Sequence, residues 1–216
     1  MNFTEEDREQ VKRVMNDLLA HEFVAAIQAD FFNEETGYYE DLDDNLSFWE
    51  NKHRDLLDKY GITIANGVTK VCLIFDDNHD WVVKFDAIDF ENEEEYCKLE
   101  EQHYREAVNE NLGVYFAEEI FVDSFPIDED ESIDVYVQEY AEPDYDRIER
   151  ILCDYAAEYY GDATEEVYED ADRLEAIFDD SDLIDFCFKH HINDLHEANY
   201  GIKSDGQIVI IDYSGY

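Results

Sequence analysis

The sequence predicts an α+β fold: a small antiparallel sheet, interrupted by one helix, set between helical segments. Three observations carry this. The stretch from Gly61 to Asp86 alternates apolar with polar residues, is rich in Ile and Val, and turns through DDNHD, as a β-hairpin does. On either side of it, apolar residues recur at helical spacing. No Gly/Ser or Pro linker divides the chain, which has only two prolines.

Taken in order, Thr4 followed three residues later by Asp7 predicts a capped helix whose Val11, Val14 and Leu18 share one face. Helix is expected to continue through HEFVAAIQADFF, break around Glu34 to Gly37, and resume from Ser47 to Tyr60 ahead of Gly61. Phe31, Phe48 and Trp49 read as packing groups. GITIANGVTKVCLIF and WVVKFD supply a strand pair. The run from Glu91 to Gly113 is expected to be a helix, with Tyr96, Leu99, Tyr104, Ala107 and Val108 as its apolar stripe and Gly113 as its stop. VYFAEEIFVDSF and IDVYVQEYAEP add two strands around an acidic turn. After Pro143 the chain reads as acidic helix, then as the apolar helix LIDFCFKHHI, and closes on a hairpin.

Charge narrows the function. Among 216 residues, 15 Lys and Arg stand against 59 Asp and Glu, a formal net of -44. The excess is heaviest over residues 123–182, and residues 183–216 are nearly neutral. A field of that sign repels phosphate backbones and anionic lipid, so direct nucleic-acid or membrane binding is not expected, whereas a basic protein partner is compatible. With 45% hydrophobic and 15% aromatic residues, the chain can still bury a core. Cys72, Cys97, Cys153 and Cys187 form no CxxC pair, so neither a zinc knuckle nor a disulfide framework is indicated. The N-terminal MNFTEEDREQ lacks a basic-then-apolar signal, and no apolar run approaches the roughly 18 residues of a membrane span. A soluble, cytoplasmic protein is expected.

The chemistry is concentrated near the C-terminus. Asp194 and Asn199 lie in a polar stretch after an apolar helix, with Gly201 close behind. Asp205-Gly206 predicts a hairpin turn, which returns the chain along IVIID and delivers Asp212 beside the loop it has just left. Taken singly, the three could cap a helix, cap a turn and end a strand. Together they offer hard oxygen ligands of the kind that suit Mg²⁺ bound with a substrate's phosphates.

DLHEAN and IIDYSG resemble the catalytic loop and the metal-binding loop of the protein-kinase-like superfamily, which includes aminoglycoside and choline phosphotransferases. The resemblance extends in order over residues 61 to 216. It implies a kinase-like fold with an N-lobe at 61–142, a reduced helical C-lobe at 143–216 and an extra helical segment at 1–60. It also implies ATP and Mg²⁺ as cofactors. Lys84 of WVVKF would hold the α- and β-phosphates and Glu101 of the next helix would hold Lys84, with Glu100 a close competitor. Gly67 would lie in the phosphate-covering loop. Gln138, Glu139 and Ala141 would form the hinge that binds adenine. Asn199 and Asp212 would ligate the metal, and Asp194 would accept the acceptor's proton.

Departures from the pattern are visible: only Gly61 and Gly67 remain in the phosphate loop, Ile192 stands where a His is usual, and Asp-Phe-Gly has become Asp-Tyr-Ser. His190 and His191 read as helix-end residues. With Tyr216 four residues beyond Asp212, the resemblance implies a minimal version without the helices that bind the acceptor. Two functions follow from it. One is an ATP-dependent phosphotransferase of unknown acceptor. The other is an inactive, pseudokinase-like acidic protein that mimics nucleic-acid charge and blocks a basic DNA-binding or host-defence protein, of the kind expected of a phage or mobile element.

Overall fold

The structure, a computed structural model, describes the chain except residues 29–30, 34–37, 41, 68, 79, 89–94, 129–130, 162–166, 168, 194 and 215–216, and except the side chains of 31–33, 38–40 and 43. It is an α+β protein with a five-stranded antiparallel sheet and eight α-helices among the described residues. None of those helices is long and apolar enough to cross a membrane. The contacts divide the chain into two compact units, residues 1–97 with 119–139 and residues 98–118 with 140–216.

The first unit starts with α1 (Glu5–Leu19), whose capping box is the expected one: the Asp7 amide donates to Thr4 Oγ1 at 3.2 Å and the Thr4 amide to Asp7 Oδ2 at 2.8 Å. After α2 (Phe23–Ala26) the chain departs from the helical expectation. Phe31–Asn33 (β1) pairs antiparallel with Tyr38–Glu40 (β2), and the expected break at 34–37 lies outside the described residues. The aromatic bias of such short runs, Phe-Phe and Tyr-Tyr, competes with a helical pattern that periodicity alone cannot separate. The next stretch is two helices, α3 (Leu42–Lys52) and α4 (Arg54–Tyr60), the second closed by Gly61 at φ 58°. Trp49 is buried and donates to the His21 carbonyl at 2.7 Å, but Phe48 is exposed rather than packed. Adjacent helical residues point about 100° apart, and only one of the two can face the core.

The sheet follows. Its strands are β3 (Ile62–Asn66), β4 (Lys70–Phe75), β5 (Trp81–Asp86), β6 (Glu119–Pro126) and β7 (Ser132–Glu139), in the order β3-β4-β5-β7-β6. The expected strand from Val114 is shorter than its apolar pattern: Gly113–Tyr115 is a 3-10 turn and pairing begins at Glu119. Strand alternation gives the sheet two faces. Val71, Leu73, Phe75, Val83, Phe85, Val135 and Val137 join Val11, Val14, Leu18, Phe23, Trp49 and Leu57 of the first 60 residues in one core. That segment is thus the cover for one face of the sheet. Arg8 fastens it, donating to the Val122 carbonyl at 2.5 Å where β6 bulges between Phe121 and Asp123, and Lys12 meets Asp123 at 3.0 Å.

The second unit contains most of α5 (Tyr96–Asn109), then α6 (Tyr145–Tyr159), α7 (Asp170–Phe178) and α8 (Ser181–Lys189), and the terminal hairpin of β8 (Tyr200–Ile202) and β9 (Ile208–Ile210). Its core gathers Phe116, Ile148, Leu174, Leu183, Phe186, Ile192, Leu195, Tyr200, Ile210 and Tyr213. Asp180 caps α8, accepting from the amides of Asp182 and Leu183, and accepts the Tyr115 hydroxyl at 2.5 Å.

Candidate functional site

The terminal hairpin forms as the sequence predicts. Tyr200 faces Ile210, Gly201 faces Val209 and Ile202 faces Ile208, and Gly206 turns at φ 89° with its amide on the Lys203 carbonyl at 2.8 Å. Both edges are held. On the β8 side, the Glu142 amide donates to Ile202 and the Ile202 amide to Glu142, at 2.9 and 2.8 Å. On the β9 side the Ala117 amide donates to the Ile210 carbonyl at 2.9 Å. The hairpin is therefore the middle of a backbone-bonded layer, which fixes what lies at its ends.

At those ends are Asn199 and Asp212. The Ile211 amide donates to the Asn199 carbonyl at 2.8 Å, so the residue before Asp212 is bonded to Asn199 itself. Both side chains are half-buried. Asn199 closes a single 3-10 turn, Glu197–Asn199, capped by His196, whose Nδ1 accepts the Ala198 amide at 3.2 Å. That bond fixes Nδ1 as an acceptor and commits it to the loop. The Asn199 and Asp212 side chains thus stand on backbone segments joined by the Ile211–Asn199 bond.

Asp194 lies outside the described residues, but its neighbours are anchored. Leu195 and Tyr200 are fully buried. The Leu195 amide donates to Asp170 Oδ1 at 2.9 Å, and Arg173 meets the same oxygen at 3.2 Å. Asp170 sits in the first turn of α7, where a carboxylate also favours the helix dipole. Sequence reasoning gave Asp170 no role, because an acid at a helix start carries no sign of what it will reach.

The stretch after Asp212 is clamped by α5. Tyr213, 1% exposed, donates its amide to Glu100 Oε1 at 3.0 Å and its hydroxyl to the Ala117 carbonyl at 2.6 Å, and its carbonyl meets His103 Nδ1 at 2.9 Å. The departure from Asp-Phe-Gly thus uses the extra hydroxyl of the Tyr. Ser214 Oγ reaches Asp212 Oδ1 at 3.5 Å. Glu100 is fully buried on Tyr213, while Glu101 pairs at 2.5 Å with Arg105, an exposed residue one turn on. Burial pushes the Glu101 carboxyl up, against the opposite pull of Arg105. His190 caps the end of α8 and meets Glu106 at 2.9 Å, and His191 follows at φ 58°, so both are helix-end residues as expected.

Gly201 is required by a close approach within the second unit. It lies in β8 against the backbone of Ala141, where an added Cβ would stand 2.8 Å from the Ala141 oxygen. Ala141 packs there with Ala117 and Val209.

The remaining sequence-predicted residues belong to the first unit. Lys84 is on the third strand of the sheet and 4% exposed. Gln138 is buried on the same face, since Val82 pairs with Gln138 and Lys84 with Tyr136, and its side-chain amide donates to Glu119 Oε2 at 2.8 Å. Glu139 is in register with Trp81, and its carboxylate lies 3.8 Å from the N-terminal ammonium. Gly67 is exposed in the β3–β4 turn, with open space around it and its amide on the Lys70 carbonyl at 2.9 Å.

The class that the fold defines is an α+β protein with a five-stranded antiparallel sheet and a C-terminal hairpin whose ends carry Asn199 and Asp212. No family model matches the chain. No curated protein matches it either. Among solved structures it is similar to the bifunctional kinase-methyltransferase WbdD, with 15% sequence identity and a TM-score of 0.32, over 68% of this chain and 30% of that one. The chain thus spans less than a third of that protein's length.

Proposed function

We propose that the chain is a kinase-like, nucleotide-binding phosphotransferase. The observation that carries this reading is the 2.8 Å bond from the Ile211 amide to the Asn199 carbonyl, which sets Asn199 beside Asp212 at the end of a braced hairpin. An amide oxygen and a carboxylate form a hard donor set, with no thiolate and with His196 committed to its own loop, and that chemistry fits Mg²⁺. Asn199 and Asp212 would hold the ion. When bound, Mg²⁺ neutralises charge on the phosphates of ATP.

The other roles fall to the chain's own groups. Lys84 would hold the phosphates as a point charge, with Glu101, or its competitor Glu100, in the partner role that the sequence resemblance gives it. The backbone of residues 138–141 binds adenine. Asp194 accepts the proton of the acceptor hydroxyl. Glu100 and His103 act on the metal ligand through Tyr213, keeping Asp212 from swinging away. Catalysis in such a site is chiefly positioning and charge stabilisation, which is why the bracing matters.

The test is turnover of MgATP by wild type, Asp212→Ala and Asp194→Ala. Turnover abolished in both variants, with melting temperatures preserved, supports the enzyme. A wild type whose melting temperature MgATP does not move at any concentration contradicts it, and a salt-sensitive complex with a basic protein that survives Asp212→Ala would then favour the acidic-inhibitor reading.

A further inference from the structure

Within the second unit, the end of α5 and one side of α8 form a groove of about 230 Å³, lined by Glu110, Leu112, Asp182, Asp185, Phe186 and Lys189. None of these is a residue of the nucleotide site proposed above. Just past α5, Asn111 turns the chain at φ 65°, and the Leu112 amide donates back to the Ala107 carbonyl at 2.7 Å, which sets the position of Leu112. On α8, Asp182, Asp185, Phe186 and Lys189 fall at i, i+3, i+4 and i+7, one stripe of a helix. Lys189 Nζ meets Glu110 Oε1 at 2.7 Å and ties the two walls together.

The floor of the groove, Leu112 and Phe186, is buried, but apolar side chains around it face water. Phe188 is 85% exposed and lies three residues after Asp185, hence beside it on the helix. Val114 is 59% exposed and Val108 48%. Val108 sits next to Leu112, since a Cβ added at Gly113 would stand 2.6 Å from Val108 Cγ2. Single apolar residues on a surface are ordinary, whereas several around one cavity make a patch of the kind a partner covers.

Charge selects the partner. Three carboxylates line the groove against one ammonium, and that ammonium already meets Glu110. Asp182 and Asp185 are both exposed. A net charge of -44 repels a second copy of the chain, anionic lipid and nucleic acid, and attracts a cationic segment. A cationic segment that also covers Phe188, Val108 and Val114 must be apolar along one side, which is the pattern of a basic amphipathic helix lying in a groove.

We infer that the groove between α5 and α8 is a docking site for a basic amphipathic helix of a partner protein. Apolar side chains of the partner cover Phe188 and the Leu112 floor, and its Lys or Arg side chains meet Asp182 and Asp185. This goes beyond the nucleotide reading and does not rest on it, so either can fail while the other stands.

Fluorescence anisotropy of a labelled peptide of Leu and Lys, with Leu at every third or fourth position, tests it. One comparison peptide carries Glu in place of Lys, and another carries Ser in place of Leu. Wild type is expected to bind the Leu–Lys peptide at least about tenfold more tightly than either. Phe188→Ser weakens that binding by about tenfold, as loss of an aromatic anchor does. Asp185→Lys turns an attraction into a repulsion and weakens it by about tenfold, whereas the same reversal at the exposed Asp154 of α6 changes it by less than about twofold. On the unaltered protein, the peptide shifts the amide NMR signals of Leu112, Phe186 and Phe188. Equal weakening by Asp154→Lys, or equal binding of the Lys–Ser peptide, would show attraction by overall charge alone and overturn the inference. No binding by wild type, or a dimer in sedimentation that Phe188→Ser dissolves, would overturn it as well, the dimer by giving the face to a second copy.

Discussion

Replacing Gly201 with alanine tests the bracing of the hairpin at its tightest point. The new Cβ would lie 2.7 Å from Ala141 Cβ, 2.8 Å from its oxygen and 3.0 Å from its carbonyl carbon. Two of these are backbone atoms of a segment bonded to β8 from both directions, so no flexible side chain can move aside. The hairpin must shift, straining or breaking the 2.9 and 2.8 Å bonds between Glu142 and Ile202. Overpacking costs about 1–3 kcal/mol, and each lost bond about 1 kcal/mol net, so a loss of roughly 2–4 kcal/mol is expected. In a chain of this size each kcal/mol lowers the melting temperature by about 2–4 °C, which gives a fall of roughly 5–15 °C. Gly206→Ala is the comparison. That residue has φ 89° but nothing within 4 Å, leaving only backbone strain of about 1–2 kcal/mol. Urea unfolding followed by circular dichroism measures both. A Gly201→Ala protein no less stable than Gly206→Ala would refute the close-packing argument.

Two further outcomes follow from the clamp and the cap. Glu100→Ala strands the buried Tyr213 amide and is expected to cost about 1–3 kcal/mol, whereas Glu100→Gln keeps an acceptor oxygen and most of the stability; equal losses in the two variants would show that the bond at 3.0 Å is not the cause. The hydroxyl of Tyr115, with the amide of Leu183, holds the Asp180 carboxyl below the usual carboxylate range. A depressed folded value means its contribution is complete above the ordinary carboxylate range and is lost as pH falls through the depressed one, so acid should loosen α8 at low pH only. Carboxyl NMR gives the check, and an Asp180 midpoint at or above that of an unfolded aspartate would contradict it.

The terminal hairpin was legible because Asp205-Gly206 between two apolar runs leaves one local solution, and its register then puts Asp212 beside Asn199. Lys84 was legible too, as a cation inside an otherwise apolar strand. Other features are settled by packing that no window of sequence contains. Glu100 and Glu101 are interchangeable in a helical pattern, and only the positions of Tyr213 and Arg105 separate them. At Gly201, what excludes a side chain is Ala141, 60 positions earlier in the chain. The β1–β2 pairing was hidden by apolar spacing that serves a helix equally well.

The central claim is that Asn199 and Asp212 hold one divalent cation together with a nucleotide. Paramagnetic Mn²⁺ in place of Mg²⁺ measures this most directly, by the broadening it causes in amide resonances. On addition of Mn²⁺ with ATP, the account predicts that the Asn199 side-chain amide and the Ile211 and Asp212 backbone amides broaden first, and that Asp212→Asn abolishes the effect. Those signals staying sharp while the acidic surface of residues 123–182 broadens would contradict it.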